Sequence, residues 1–521
     1  MFLSDVPTYK FLPGKAEITE LLKDFIVLVS RILVKHIRNL RSIKRCIIYH
    51  IPHQYSKEMS EKTEQVPLGI YALDENTNSE MIEIEDRLQE RYTNIEDDAK
   101  QFVFFGGDQL TEERARNMQF ARMDGRNEKE RLQGLWPKFE DWHGIRTAYE
   151  STIKMFTTKD IKAEAGTYRA NAIKTGNANA LGDVENNYQK VKEFFTVESE
   201  ALLVSAFLKH EGLDDVSEVV VPEGLQDSKA ERRWLHGKVK KFLQEVVMPT
   251  FVDLQQVVER KELMKCRSPE CTKYFKYAAV RNAHELEIHK LEIVEKEDVQ
   301  TDGLYEYSCS RLALGILLMD ADDSVKEGDG QRLSCIWNIL TFLFRLNNNR
   351  KYAFLGLRHR ACELALLSPQ RWHQLKWNRF INKEGGVGKN ISIDLRLEHI
   401  NKVMKGLIKS QGPANINDES AELISHSIQG IEDVVNSYKE DTASKKRSGV
   451  HTNKHVRKMY KSVFEEVHSS SRNFTFTPGR LVGTKSSFKR VFDKFDMDKH
   501  FAWIEKKKRK WDNENVYFYG F

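Results

Sequence analysis

The sequence predicts an α/β fold with predominantly helical content, in which a small mixed sheet is interrupted by a large all-helical insertion. The 521 residues include only 11 prolines and 28 glycines. This scarcity favours long helices, because proline breaks a helix and glycine weakens it. Strand-like and helical segments alternate up to residue 157, which is typical of an α/β sheet. Helical periodicity then dominates as far as about residue 382.

The N-terminal part of the chain is predicted to be helical over residues 1–60 and to carry the sheet over residues 61–157. Strands are expected near 66–73, 101–107 and 135–140, and a helix is expected after each of them.

The second of these strands carries the strongest signal. Four consecutive apolar residues, Phe102–Phe105, indicate a strand that is buried on both faces. Two glycines end it immediately before Asp108. Polar side chains at the carboxyl ends of strands are where sheets of this class place their chemistry.

The remainder of the sequence divides into three parts. Residues 158–382 are predicted to be the helical insertion, and residues 383–440 to return to the sheet as helices. One returning helix is expected from Ile393 to about Lys409. Its polar residues Asp394, Glu398 and Asn401 lie at i, i+4 and i+7 and therefore share one face.

The last part, residues 441–521, is predicted to be a basic C-terminal tail. It contains 19 lysines and arginines against 9 acidic residues, a net charge of +10. This leaves −5 for the preceding 440 residues of a chain whose formal charge is +5. A basic region on an acidic body is typical of a protein that binds a polyanion, here DNA, or carries a nuclear import signal. A solvated helix face is the open alternative.

The composition excludes several classes of protein. With 40% apolar and 31% charged residues, the chain is too apolar for a disordered protein and is typical of a soluble globular one. No apolar run reaches the roughly 18 residues that cross a bilayer, and the first residues lack a secretory signal. Six cysteines without framework spacing indicate a reducing compartment. We therefore expect an intracellular protein without a membrane partner, which is nuclear if its basic runs direct import.

Five short motifs follow one another along the chain. They are His53-x-Tyr55-Ser56-x-Glu58-Met59, Val66-Pro67-Leu68-Gly69, Gly107-Asp108-Gln109-Leu110-Thr111, Asp141-Trp142-His143 and Leu397-Glu398-His399-x-Asn401. With these motifs the sequence resembles a large eukaryotic domain-of-unknown-function family, number 6589, from about residue 20 to residue 470. Members of that family look like products of mobile elements. The resemblance therefore implies a transposase-derived protein with a ribonuclease-H-like core.

The resemblance also bears on completeness. Members of the family usually carry an upstream segment with a Gly-Asp-Asn motif on an earlier strand, and this chain begins after that point. If that segment holds the first acid of the sheet, the core is degenerate or N-terminally incomplete, which favours binding without catalysis.

The chemistry that a ribonuclease-H-like core implies needs three or four carboxylates around two metal ions about 3.5–4 Å apart. Mg²⁺ accepts such oxygen ligands. Cores of this type take one acid from a later strand and one from a late helix, and Asp108 and Glu398 match these positions. We predict that both residues are catalytic and bind Mg²⁺. Asp141 would be an auxiliary acid at the neighbouring strand end, and His143 or His399 would transfer a proton or position a phosphate.

Each of these residues has a structural alternative. Asp108 stands where an N-cap is expected, since aspartate before a helix commonly accepts a backbone N–H. Glu398 fits the solvated face of an amphipathic helix. Asp141, Trp142 and His143 would then form only a strand-to-helix turn, in which the tryptophan fills the core.

Two interpretations of function stay open. The first is a transposase-derived protein that binds nucleic acid and, if active, is a metal-dependent polynucleotidyl transferase or nuclease. The second is a non-catalytic helical scaffold or interaction protein that keeps the fold. A small-molecule enzyme is a weaker third interpretation, because the chain has no cofactor motif.

A separate signal suggests zinc. Cys266 and Cys271 are followed by His284 and His289, and two cysteines followed by two histidines are the ligands of many structural zinc sites. The gap between the cysteines is at the long end of the usual range, and the surrounding sequence is helix-rich, so ordinary core residues are the alternative.

Overall fold

The computed structural model describes residues 2–93, 102–157, 164–251, 264–275, 278–291, 301–410, 417–442, 450–469, 473–482, 490–492 and 495–519. The α-helices in these ranges are α1 (Lys15–His36), α2 (Asn78–Tyr92), α3 (Gln109–Ala121), α4 (Asp141–Phe156), α5 (Tyr168–Lys174), α6 (Tyr188–His210), α7 (Ser228–Phe242), α8 (Ala278–His289), α9 (Gly303–Glu327), α10 (Gly330–Leu346), α11 (Arg350–Ala361), α12 (Pro369–Trp377), α13 (Ile393–Ser410), α14 (Asp418–Asp441), α15 (Val450–Ser469) and α16 (Met497–Tyr519). The predominantly helical content expected from the sequence is confirmed. In the parts of the chain described above, no helix has both the length and the apolar composition that crossing a membrane requires.

The strands form three pairs. They are β1 (Val103–Gly107) with β2 (Leu135–Phe139), β3 (Met264–Lys265) with β4 (Tyr274–Phe275), and β5 (Phe380–Ile381) with β6 (Ile391–Ser392). The first pair is parallel and the other two are antiparallel. The described residues therefore contain three separate two-stranded sheets in place of the one small mixed sheet that the sequence predicted.

The parallel pair agrees with two of the three predicted strands. Its register places Val103 opposite Leu135 and Gly107 opposite Phe139, so the two strands end side by side. Helices α3 and α4 each start two residues after the end of the strand that precedes them.

The segment 66–73 does not form the third predicted strand. Its N–H at Ile70 donates to the hydroxyl of Ser425 on α14 at 3.1 Å, and Gly69 lies against the ring of His426, which a Cβ at that position would meet at 2.6 Å. Gly69 and Ile70 therefore lie against helix α14.

Helices from the predicted insertion share one apolar core with α1 and α4. Phe25 of α1, Tyr149 of α4, Leu202 of α6, Leu317 of α9 and Leu340 of α10 are all completely buried in this core. Packing of this kind stabilises each helix mainly through its apolar face. The insertion therefore forms the centre of the fold together with the N-terminal helix.

The end of the predicted basic tail is the helix α16, and it is fixed to the start of the chain. The carboxylate of Asp512 accepts the backbone N–H groups of Leu3 at 2.6 Å and Ser4 at 2.7 Å. Trp511 is buried in a small apolar cluster with Leu3. The basic run from Lys506 to Lys510 thus lies on a helix held against the body of the protein.

Candidate functional site

The predicted acids at the strand ends are brought to one edge of the β1–β2 pair. The carbonyl of Gly107 accepts the N–H of Glu140 at 2.9 Å, which continues the parallel ladder by one step. Asp108 and Asp141 are the residues that follow these two positions. Because both strands are parallel, α3 and α4 begin at the same edge, and we name it the strand edge.

Asp108 is the N-cap of α3, as the structural alternative proposed. One carboxylate oxygen, Oδ1, accepts the N–H groups of Leu110 and Thr111, both at 2.8 Å. The other oxygen, Oδ2, has no hydrogen-bond partner within the described ranges, and the side chain is partly exposed. Asp108 can therefore cap the helix and still offer one oxygen to a ligand.

The cap makes a testable prediction about Asp108. Asp108→Ala is expected to lower the free energy of unfolding by about 1 kcal/mol, because two backbone donors lose their acceptor. Asp108→Asn is expected to change it little, since asparagine caps a helix as well as aspartate does. Urea-induced unfolding of the two variants measures this. Equal destabilisation by both substitutions would show that the charge, and not the cap, stabilises the fold.

Asp141 is engaged on both oxygens. Its carboxylate accepts the indole N–H of Trp337 at 2.7 Å and the Nε–H of Arg379 at 2.9 Å. The Nη2 group of Arg379 makes a further short contact with Oδ1. Both ionic side chains are nearly completely buried. This environment favours a structural role for Asp141, which the sequence predicted to be an auxiliary acid.

A third acid, Asp394, brings the returning helix α13 to the strand edge. Its carboxylate accepts the backbone N–H of Trp142 at 3.1 Å and of His143 at 3.0 Å, at the start of α4. The same group lies 3.0 Å from Nδ1 of His143. Asp394 thus joins two helices that are about 250 residues apart in sequence.

Glu398 lies one helical turn beyond Asp394 on the same face of α13. Its Oε1 is 4.0 Å from Nε2 of His143, and its side chain is 50% exposed. His143 therefore stands between the carboxylates of Asp394 and Glu398. Glu398, the acid predicted on the late helix, is thus connected to the strand edge by way of His143. Across the described ranges, no hydrogen bond or ion pair joins Glu398 to Asp108 directly.

Tyr352, at the start of α11, shows that Asp108 and α13 share one neighbourhood. Burial raises the pKa of Tyr352, and the negative charges of both Asp108 and Asp394 act in the same direction, whereas Thr147 and Arg146 oppose them. Two carboxylates from distant parts of the chain thus act on the hydroxyl group of Tyr352.

His399 lies on the other side of α13. Partial burial and the positive charges of Arg396 and Lys383 lower its pKa, and the guanidinium of Arg396 is itself paired with Glu432 of α14 at 2.7 Å. His399 makes no hydrogen bond with the strand edge in the described parts of the chain. His143 is the histidine that the fold places beside the acids.

Glu140 is a further acid that the sequence did not single out. It lies at the strand edge, is buried, and contacts the ammonium group of Lys138. Burial raises the pKa of Glu140 to about 7, although the charge of Lys138 opposes the shift. A carboxyl group with this pKa is partly protonated near neutral pH.

The raised pKa predicts a dependence of stability on pH. The folded chain binds the proton of Glu140 more tightly than the unfolded chain, whose glutamate has a pKa near 4.5. Stability is therefore lost as the pH rises from 4.5 to about 7. Glu140→Gln removes this titration. The free energy of unfolding of the wild type should therefore fall by about 3 kcal/mol relative to that of the variant as the pH rises through this range. The test is urea-induced unfolding of both proteins at several pH values. If the free energy of unfolding depends on pH in the same way in both, the raised pKa of Glu140 is contradicted.

A cleft lies beside the strand edge, between α3, α11 and α16, and encloses about 250 Å³. It begins at Gln109, the residue after Asp108. Five cationic side chains line it, and they are Arg116, Arg350, Lys351, Lys507 and Lys510. Its two acids are already paired, Glu112 with Arg358 and Glu113 with Lys351. We name it the basic cleft, because its net charge is positive.

The fold and the strand edge define a predominantly helical protein. In its described residues, the acidic ends of the parallel strand pair adjoin a basic cleft. A model of a family described as a family of unknown function, DUF6589, matches residues 7–451, and the chain belongs to that family. The match covers the whole strand edge and ends before α16. No curated protein and no solved structure is significantly similar to the chain.

Proposed function

We propose that this chain is a transposase-derived protein that binds nucleic acid, with the phosphate backbone held in the basic cleft. The charge of the cleft is the observation that carries the proposal. Lysine and arginine side chains neutralise phosphates and release the counterions condensed on DNA, and this term dominates affinity for a duplex. Nucleic acid as the partner is also consistent with a nuclear location, which is part of the same proposal.

The arrangement of the cleft supports a polyanion over a small anion. The cations of the cleft come from three helices, and two of these cations lie over one aromatic ring. The ring of Phe354 lies 4.9 Å from the guanidinium of Arg116 and 4.6 Å from the ammonium group of Lys507. Such contacts hold cations in place over an aromatic face. A row of fixed cations suits the repeating charge of a nucleic-acid backbone.

A binding experiment tests this proposal. Arg350 and Lys510 are exposed cations of the cleft, whereas Lys240 and Lys241 are exposed cations of α7 that do not line it. The double variant Arg350→Gln/Lys510→Gln is expected to bind a fluorescent DNA duplex at least about ten-fold more weakly in low salt, because each lost phosphate contact costs affinity. The control Lys240→Gln/Lys241→Gln removes the same charge and should bind nearly as the wild type does. Equal losses in both variants would overturn the assignment to the cleft.

The catalytic part of the proposal concerns Asp108 and Glu398. Two groups offer hard oxygen ligands of the kind that Mg²⁺ prefers. They are Oδ2 of Asp108, which has no hydrogen-bond partner among the described residues, and the half-exposed carboxylate of Glu398. Magnesium bound there would polarise a phosphodiester held in the adjoining cleft. Asp394 and His143 would orient Glu398. A ribonuclease-H-like ancestry of the β1–β2 pair is part of this proposal and rests on the order of the strand acid and the helix acid.

Cleavage of supercoiled DNA tests the catalytic part. With Mg²⁺ present, the wild type is expected to nick the DNA, while Asp108→Asn and Glu398→Gln each remove the activity without unfolding the chain. Glu419→Gln, which neutralises an exposed carboxylate at the start of α14, serves as the matched control. Residual activity that is equal in all three variants would exclude both residues from the chemistry.

A non-catalytic binding or scaffold protein is the second candidate function, and one observation favours it. The carboxylate of Asp141 is bound on both oxygens by Arg379 and Trp337, so an acid that the nuclease interpretation would use is committed to the fold. Binding of DNA by the wild type without any Mg²⁺-dependent cleavage would select this candidate.

A further inference from the structure

Cys266, Cys271, His284 and His289 converge in a small ββα unit. Strands β3 and β4 form an antiparallel hairpin whose register pairs Met264 with Phe275, and α8 follows the hairpin. The two cysteines lie in the turn between the strands, and the two histidines lie on the last turns of the helix. The sequence spacing is Cys-x4-Cys-x12-His-x4-His, and the hairpin replaces the helix-rich stretch that the sequence suggested for the cysteines.

The four potential ligand atoms have the separations of a tetrahedral metal site. All four lie within 4.8 Å of one another. Sγ of Cys271 is 3.4 Å from Nε2 of His284, and Nε2 of His289 is 3.1 Å from the same nitrogen. Zn–S bonds of about 2.3 Å and Zn–N bonds of about 2.0 Å place the ligands of tetrahedral zinc about 3.3 to 3.8 Å apart. We propose that these four residues bind one Zn²⁺ ion.

The surroundings of the four residues hold this geometry in place. Glu285, which follows His284, is buried and accepts hydrogen bonds from Arg267, which follows Cys266. The three donors are the backbone N–H at 2.7 Å, Nε at 2.9 Å and Nη2 at 2.6 Å. These bonds join the cysteine turn to the histidine helix. Contacts of this kind orient the ligands of metal sites.

The unit has little apolar surface to stabilise it otherwise. Phe275 packs on the ring of His284 with a centroid distance of 4.7 Å. The large apolar side chains Val280, Leu286 and Ile288 of α8 are 53%, 48% and 64% exposed. Units of fewer than about 40 residues usually need a metal or disulfides. Zinc would therefore supply much of the folding free energy of this unit, with release of the two thiol protons.

The site is closed and structural. Four protein ligands complete the tetrahedron and leave no position for water or a substrate. In fingers of this architecture, helix positions −1, 3 and 6 read base edges. Positions 3 and 6 are here Val280 and Ala283, which are both exposed and cannot form hydrogen bonds with bases, and position −1 lies outside the described residues. The role that we assign to the ion is therefore to hold α8 on the hairpin.

Metal analysis of the full chain, purified in reductant without chelator, tests the site. The wild type is expected to carry one zinc ion per chain, and Cys271→Ser to bind zinc at least about ten-fold more weakly. Cys335→Ser, which removes a partly exposed thiol from α10, is the matched control and should keep the ion. A wild-type chain that neither contains zinc nor binds added zinc would overturn the proposal, as would a full complement of zinc in Cys271→Ser.

A second measurement on the unaltered chain does not depend on the folding of a variant. Cys266 and Cys271 should resist alkylation in the native protein and become reactive once a chelator removes the metal, because zinc binds thiolates and shields them. Peptide mass spectrometry assigns the reactive cysteines. Alkylation of both cysteines at the same rate with and without chelator would overturn the proposal. A disulfide between them in protein that was purified in reductant would overturn it as well.

Discussion

Asp141→Asn is expected to lower the free energy of unfolding by about 3 kcal/mol. The substitution leaves the guanidinium of Arg379, which is nearly completely buried, without its counter-charge, and an unpaired buried charge of this kind typically costs 3–5 kcal/mol. The indole N–H of Trp337 also loses a charged acceptor at 2.7 Å. Urea-induced unfolding measures the loss.

The variant separates a structural role for Asp141 from a catalytic one. Acids that act in chemistry are commonly replaced without loss of stability, because active sites store strain. Asp108→Asn supplies the comparison, since it neutralises the neighbouring acid but keeps its cap. If Asp141→Asn unfolds at the wild-type urea concentration and yet abolishes Mg²⁺-dependent cleavage, Asp141 belongs to the chemistry and the structural assignment is wrong.

Arg311→Met is expected to lower the free energy of unfolding by about 3–5 kcal/mol. Arg311 on α9 and Glu198 on α6 form an ion pair of 3.0 Å, and each side chain is 1% exposed. Removal of the arginine leaves the carboxylate of Glu198 in the centre of the helical core. Within the described part of the chain, its only other side-chain donor is Asn171 at 3.1 Å. A charge without its partner in such surroundings is strongly destabilising.

The double variant Arg311→Met/Glu198→Leu provides the control. Replacing both partners with apolar side chains is often neutral, because the desolvation cost of the two charges disappears with their attraction. We expect the double variant to be more stable than Arg311→Met alone in thermal and urea unfolding. If the double variant is less stable than both Arg311→Met and Glu198→Leu, the attraction between the two charges stabilises the fold by more than their desolvation costs.

The strand edge was partly predictable from local sequence. The run Phe102–Phe105 overlaps the first of the two parallel strands and the segment Leu135–Phe139 forms the second, as their apolar residues predicted. The prediction that the first strand is buried on both faces was wrong, because Val103 is 43% exposed whereas its partner Leu135 is 5% exposed. The shared face of Asp394 and Glu398 on α13 was visible from their spacing. The strand predicted for residues 66–73 was wrong. The apolar residues of this segment are typical of a strand, but its contacts are with Ser425 and His426 on a helix that is distant in sequence.

The roles of individual acids were not predictable, because they depend on residues far away in sequence. Arg379 and Trp337, which bind Asp141, are 238 and 196 residues from it. Asp394 caps a helix other than its own, and such a contact leaves no local signal. The charges of Asp108 and Asp394 likewise act on Tyr352 only in the folded chain. The basic cleft is formed by three helices that are far apart in sequence. The charge distribution along the sequence therefore indicated only the helix at its C-terminal end.

The salt dependence of DNA binding tests the central claim most directly. The logarithm of the affinity falls with the logarithm of the salt concentration, and the slope decreases by about one for each phosphate contact that is lost. The account predicts a slope for Arg350→Gln/Lys510→Gln that is about two smaller than for the wild type, and an unchanged slope for Lys240→Gln/Lys241→Gln. Identical slopes in the wild type and the cleft variant would contradict a phosphate backbone in the basic cleft.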